Sequence, residues 1–156
     1  SAIMTLYLVQ HGDALGKAQD PLRPLSEKGL QDVRSMASFL ADRGIRPARV
    51  IHSGKARAME TAQLLSGGEV EEIDIGLAPN DPTEPVKNLI ESWDEDVMIV
   101  GHLPFMGRLV AHLVGGTPDA DTVSFEPGTV VCLKKGEEGN WSLHWMLRPS
   151  LLGEPL

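Results

Sequence analysis

The sequence holds a single cysteine, Cys132, set in the apolar run "TVVCL". One thiol excludes an intrachain disulfide, and its apolar surroundings assign it to core packing in a reducing compartment. No apolar run approaches the roughly 20 residues that a membrane-spanning helix needs. The first residues lack the basic-then-apolar pattern of a secretory leader, so the expected location is the cytoplasm, with no membrane partner. Positive charge is scarce: 14 Lys and Arg stand against 22 Asp and Glu, a formal net charge of −8. Such a surface repels nucleic acid, whose binding rests on neutralising phosphates. An anionic ligand must be held by a local cluster of positive groups, because the overall field opposes it. Internal repeats, low-complexity tracts and linkers are missing as well. The 156 residues, 42% hydrophobic and 23% charged, therefore read as one globular domain, 1–156, able to bury a core without staples. A monomer is expected.

What the sequence does have is alternation. Met4–Val9 is a continuous β-prone run, the pattern of a strand buried on both faces. A polar stretch to Pro24 reads as loop. Ser26 then serves as an N-cap, and Leu30, Val33, Met36, Ala37 and Leu40 recur at helical spacing up to Gly44. Arg49–His52 is a short strand, and Ser53 would cap a helix over 55–65 closed by Gly67-Gly68. Glu71–Ile75 alternates weakly as a strand. Pro79, Pro82 and Pro85 punctuate the way to a short helix ending near Trp93. Val97–Val100 is a further apolar strand, and a helix over 104–114 is stopped by Gly115-Gly116. Thr122–Phe125, Thr129–Leu133 and Trp141–Leu147 read as strands, the last two joined by "KKGEEGN" as a hairpin. The pattern predicts an α/β fold, three-layer α/β/α with a mainly parallel central sheet and antiparallel strands near the C-terminus.

Sheets of this kind bind ligands outside the carboxyl ends of their strands. Gln10-His11-Gly12 ends the first strand, His52-Ser53 the second and Gly101-His102 the fourth, with Arg57 in the first turn of the following helix. That rim gathers two histidines, an arginine and a helix N-terminus, a set suited to a phosphoryl group. Helix N-termini offer free N–H groups, arginine offers a planar fork, and a histidine attacks phosphorus when its other nitrogen is held. Gly12, without a Cβ, would let phosphate approach the backbone. A cation in a helix's first turn is unfavourable unless an anion is present, which favours a functional Arg57. His112 and His144 read as structural or surface residues; His52 borders the rim but could equally point into the sheet.

These segments resemble the histidine phosphatase superfamily, whose fold is phosphoglycerate mutase-like, and within it the small SixA-like phosphohistidine phosphatases. "LYLVQHGDA" is similar to the family's R-H-G segment, and "DPLRPLSEKG" to R-P-L-[ST]-x-x-G. "VIHSGKARAMETAQLL" is similar to S-x-x-x-R-A-x-x-T-A, and "VMIVGHLPFMGRLVAHL" to V-x-x-V-G-H-x-P. The resemblance implies His11 as a transiently phosphorylated nucleophile, with Arg57 and His102 stabilising charge on the transferring oxygens. It implies Arg23 as a further phosphate or substrate contact and Ser53 as pocket support, with no metal or other cofactor. Two departures stand out: Gln10 replaces the family's first arginine, and Gly54 a common proline. Losing one preorganised donor typically costs about 3–4 kcal/mol, a hundred- to a thousand-fold in rate. Gln10 still offers an N–H to the phosphate, and Lys17 or Lys55 could supply the charge.

Superfamily members that hydrolyse phosphate esters carry an acidic residue where this chain has Ala78 and Pro79, and Leu103 follows the second histidine, so the His-Asp pair is absent too. The remaining candidate acids are Asp13 and Asp20, each equally readable as a solvated loop carboxylate. A leaving imidazole, with a conjugate-acid pKa of about 6.5, needs less help than an alkoxide. The short Asn80–Pro85 connection leaves the site open. The expected substrate is therefore a phosphohistidine-bearing protein, such as a histidine-containing phosphotransfer domain, with a small phosphorylated molecule as the alternative. Two other readings use the same residues. One is a metal-dependent hydrolase on His11, Asp13, His52 and His102, disfavoured by Arg57 beside them. The other is a degenerate phosphate-binding module, motivated by Gln10.

Overall fold

Thr5–Gln10 forms β1, a strand buried along its whole length. Its side chains alternate between two cores: Leu6 and Leu8 enter one, Tyr7 and Val9 the other. A strand covered on both faces has no polar side to show, which is why the run reads as continuously apolar. The structure, a computed structural model, describes residues 4–120 and 122–153. After β1 come α1 (Glu27–Asp42), β2 (Arg49–His52), α2 (Ala56–Ser66), β3 (Glu71–Glu72) and α3 (Glu84–Glu91). Then follow β4 (Val97–Gly101), α4 (Phe105–Gly115), β5 (Val130–Lys135), β6 (Trp141–Leu147) and a 3-10 turn at Pro149–Leu151.

The strands form one sheet in the order β3-β2-β4-β1-β5-β6. β1, β4, β2 and β3 run parallel, while β5 and β6 are added antiparallel. Val33, Met36 and Leu40 of α1 are buried with α2 at the first face, and Met36, Leu40, Ala58 and Ala62 pack there with Val9, Met98 and Val100. Val86 and Ile90 of α3 and Phe105, Met106 and Leu109 of α4 cover the other, against Leu6, Leu8 and Ile99. The three-layer architecture expected from the alternation is present. Cys132 is buried in the core that holds Tyr7 and Val9, and desolvation pushes its thiol up to about 11.

Two strand expectations fail. The alternation over Glu71–Ile75 yields a two-residue, exposed edge strand, because only Glu71 and Glu72 reach β2 and neither has an apolar face to bury. Thr122–Phe125 forms no strand: both edges of β1 are taken by β4 and β5. Val123 and Phe125 instead pack, half-buried, onto the core from an irregular segment.

The loop after β1 is locked onto α1. The Ser26 hydroxyl accepts from Gly29 N–H (3.0 Å), capping the helix, and donates to the Asp13 carboxylate (2.6 Å). The contact is so close that a Cβ on Gly29 would lie 2.0 Å from the Asp13 carbonyl oxygen, and one on Gly12 would lie 2.7 Å from Val33. Because the obstacle at Gly29 is backbone, Gly29→Ala should lower unfolding free energy by about 1–3 kcal/mol. Gly68→Ala, where nothing lies within 4 Å, is the control. Urea unfolding of both variants checks this; equal midpoints would show that the loop yields freely.

Candidate active site

Parallel pairing of β1 with β4 sets Gln10 opposite Gly101, and His11 N–H extends the ladder by donating to the Gly101 carbonyl (3.0 Å). On the other side, Gln10 N–H donates to Thr129 O (3.2 Å), and Gly128 N–H lies 3.0 Å from Gln10 O and 3.1 Å from His11 O. The backbone at the end of β1 is thus clamped from both neighbours, and its histidine is presented in a defined position. His102 follows Gly101 directly, and its ring centroid lies 5.0 Å from that of His11.

His11 Nδ1 lies 2.7 Å from the Gly12 carbonyl oxygen. Only a protonated nitrogen satisfies a carbonyl, so Nδ1–H donates and Nε2 keeps the lone pair. Burial pushes the ring down to about 4; the Gly12 bond and Asp13 oppose this, and Arg57 and Arg23 reinforce it. His102 is pushed down to about 3, first by burial and then by His11, Arg57, Lys55 and Arg23. Both rings are therefore neutral near pH 7. Ser53 Oγ lies 2.6 Å from His102 Nε2.

Arg57 is the second residue of α2, a helix whose N-terminus has no side-chain cap bond. Burial and the nearby Arg23 hold its guanidinium below the ordinary arginine value. Arg23 sits on the loop before α1 with φ +48, a backbone conformation costly for a side-chain-bearing residue, and its Nε donates to Leu15 O (2.9 Å). Three buried side-chain atoms of this rim have no hydrogen-bond partner among the described residues: Gln10 Oε1, Arg57 Nε and His102 Nδ1. Buried polar groups are nearly always paired, so three at one rim are a local concentration of unused hydrogen-bonding capacity.

The expected Ser53 cap is corrected, and the other candidates take defined places. Ser53 does not cap α2: the N-cap is Lys55, and Gly54, at φ +93, turns the chain so that the Ser53 hydroxyl meets His102. That φ also accounts for the missing proline, whose ring cannot adopt it. Gly12 clears space for Val33 of α1, and its N–H donates to Thr61 Oγ1 (3.0 Å). Asp13 lies near His11 but its carboxylate takes the Ser26 hydroxyl, while Asp20 accepts from Leu22 N–H (3.0 Å) in a turn. His52 is buried, its Nδ1 accepting from Gly54 N–H (3.0 Å). His112 is a structural residue, its Nδ1 2.8 Å from Thr83 Oγ1. Among the described residues no group of three or more His, Cys, Asp or Glu is arranged to hold a metal ion.

Two contributors were not singled out in the sequence. Thr61 joins Gly12 N–H to the Arg57 carbonyl, to which its hydroxyl donates (2.7 Å), and so ties the loop after β1 to α2. Its signal was the threonine of "ARAMETA", at the helical spacing that puts it one turn after Arg57. Thr129 acts through its backbone carbonyl, for which side-chain identity gives no signal. Of the two lysines weighed as replacements for a charge at position 10, Lys55 is near enough to act on His102.

The lowered histidines have a consequence for stability. An unfolded histidine binds its proton near pH 6.5, the folded His11 only near 4 and His102 near 3. Below about 6.5 the unfolded chain binds more protons, so stability is complete above that pH and is lost as pH falls toward the folded values. Thermal melts at pH of about 7.5 and 5 should show a smaller acid-induced drop in Tm for His102→Asn than for the wild-type chain. An equal drop would mean that the buried ring accepts its proton as readily as an exposed one.

Comparison with known proteins follows the same residues. The model of the histidine phosphatase superfamily (branch 1) matches residues 6–77. The chain is 31% identical over 160 residues to the phosphohistidine phosphatase SixA of Escherichia coli K12, covering 94% of each. A solved structure of the protein histidine phosphatase SixA complexed with tungstate superposes with a TM-score of 0.84 at 27% identity, covering 96% of this chain and 100% of that one. A phosphoglycerate mutase from Bacillus anthracis, at 15% identity, shares the fold with a TM-score of 0.72, covering 97% of this chain and 96% of that one. With a SixA homologue matched along nearly its whole length, this chain belongs to the histidine phosphatase superfamily.

Proposed function

We propose that this chain is a metal-independent phosphohistidine phosphatase that passes the phosphoryl group through His11. The observation that carries the reading is the 2.7 Å bond from His11 Nδ1 to Gly12 O. It leaves Nε2 as the nucleophile, and the lowered pKa keeps that lone pair free at neutral pH. Nε2 attacks phosphorus, and the P–N bond breaks with its electron pair going to the substrate nitrogen, so that a substrate ring protonated on its other nitrogen leaves as neutral imidazole. Water then attacks phospho-His11, releasing inorganic phosphate and restoring the neutral ring. Arg57, Arg23 and His102 stabilise the phosphoryl oxygens electrostatically, and Lys55 adds charge beside them. This local cluster supplies the attraction that a chain of net charge −8 otherwise lacks.

The substrate class follows from what the site does not provide. A phosphate ester leaves as an alkoxide and calls for a strong acid, but Ala78 and Pro79 stand at that position and Asp13 is engaged by Ser26. An imidazole with a conjugate-acid pKa near 6.5 leaves without one. The β3–α3 connection carries no helix of its own, which favours a substrate residue borne on a protein. The name of the E. coli relative agrees with this class.

Gln10 favours a slower enzyme: its buried Oε1 is unpaired where the family's arginine would donate. Gln10→Arg should raise kcat, by about a hundred- to a thousand-fold if a full donor is restored; an unchanged or lower rate would show that the site has compensated by another route. The reading as a whole is tested by a rate panel over a phosphohistidine protein, free phosphohistidine, p-nitrophenyl phosphate and sugar phosphates, with and without chelator. The phosphohistidine substrates should be fastest and insensitive to chelator. Preference for the esters, or loss of turnover with chelator, would contradict it.

A further inference from the structure

Ser53 lies just beyond the carboxyl end of β2, next to β4, whose Val100 is paired with His52. Its hydroxyl oxygen, 2.6 Å from His102 Nε2, makes no other hydrogen bond among the described residues. The bond joins two strand ends 49 positions apart in sequence and sits directly behind the ring facing His11. Ser53 itself does not serve the helix that follows, since Lys55 is the N-cap and no side chain bonds the first turn. Some other demand therefore accounts for the hydroxyl.

That demand is the placement of one proton. His102 is buried and faces His11 from β1, Arg57 and Lys55 from the start of α2, and Arg23 from the loop before α1, so its ring is neutral at working pH. A neutral imidazole carries a single proton on one of two nitrogens. With the proton on Nε2, Ser53 would accept it and Nδ1 would present a buried lone pair to any anion, which repels it. With Ser53 donating to Nε2, the proton sits on Nδ1, the atom that has no protein partner. Arg57 Nε is a second buried donor without a partner at the same rim. A phosphoryl group offers only acceptors, so the second arrangement alone makes both groups useful to it.

We propose that Ser53 is a positioning residue that donates its hydroxyl proton to His102 Nε2 and so fixes His102 as the Nδ1–H tautomer, a neutral donor to a phosphoryl oxygen. The inference rests on the phosphoryl-transfer reading of this site and goes beyond it in assigning the tautomer and the residue that sets it. His102 then keeps its proton through the reaction and acts as a fixed dipole. Ser53 contacts no reacting atom; its effect on the substrate passes through the ring.

The test is nitrogen-15 NMR of the histidine side chains in the full chain near neutral pH. His102 should show a protonated Nδ1 and a bare Nε2, and Ser53→Ala should convert it to a mixture or to the Nε2–H form. The opposite tautomer in the wild-type chain would overturn the proposal, and this readout needs no substrate, so it fails independently of the phosphatase reading. On a phosphohistidine protein, Ser53→Ala should lower kcat by about tenfold to a hundredfold with little change in KM. Ser53→Thr, which retains the hydroxyl, should recover most of that loss, with Tm alike in all three proteins. Equal kcat for the Ala and Thr variants would also overturn the assignment.

Discussion

The parallel pairing of β1 with β4, carried one hydrogen bond beyond its last register pair by His11 N–H on the Gly101 carbonyl, is the constraint on which the site depends. Buried backbone donors and acceptors must be paired, so the ladder fixes the two strand ends relative to each other far more tightly than loops would. The rings of His11 and His102, 91 positions apart in sequence, are held 5.0 Å between centroids as a result. β5 closes the other side through Thr129 and Gly128. Thr61 then ties the loop after β1 to α2 and thereby to Arg57. Phosphoryl transfer relies on positioned charge more than on covalent help from the protein, and a rim fixed on three sides suits that requirement.

Electrostatics at the rim runs against the rest of the molecule. The chain is acidic, yet Arg23, Lys55 and Arg57 lie within range of His102, and burial, with Arg57 and Arg23 at both rings and Lys55 at His102, keeps both histidines neutral. Neutrality serves two different ends: at His11 it frees a lone pair, and at His102 it leaves a single proton whose location matters. Gln10 lowers the local charge relative to the family pattern, and its buried Oε1 has no hydrogen-bond partner among the described residues.

Much of this was legible in the sequence because it rests on local patterns. The apolar run of β1, the Ser26 cap with its helically spaced stripe, and the glycines after α1 and α2 each express a short-range rule, and the rim rule for parallel sheets places His11, Arg57 and His102 at one end of the sheet. The errors arose where long-range contacts decide. Ser53 had a good local claim to be a cap, but Gly54 at φ +93 turns it to a residue 49 positions away. Thr122–Phe125 has strand composition, yet the sheet positions beside β1 were already filled. Thr129 meets Gln10 through its backbone carbonyl, a contact that leaves no side-chain signature.

The central claim is a covalent bond between phosphorus and His11 Nε2. Rapid-quench trapping during turnover of a labelled phosphohistidine protein, followed by peptide mapping, addresses it directly. The account predicts an acid-labile, base-stable phosphate on the peptide containing His11, formed and lost at rates consistent with turnover and absent from His11→Ala. Label on another residue, or turnover retained in His11→Ala, would contradict it.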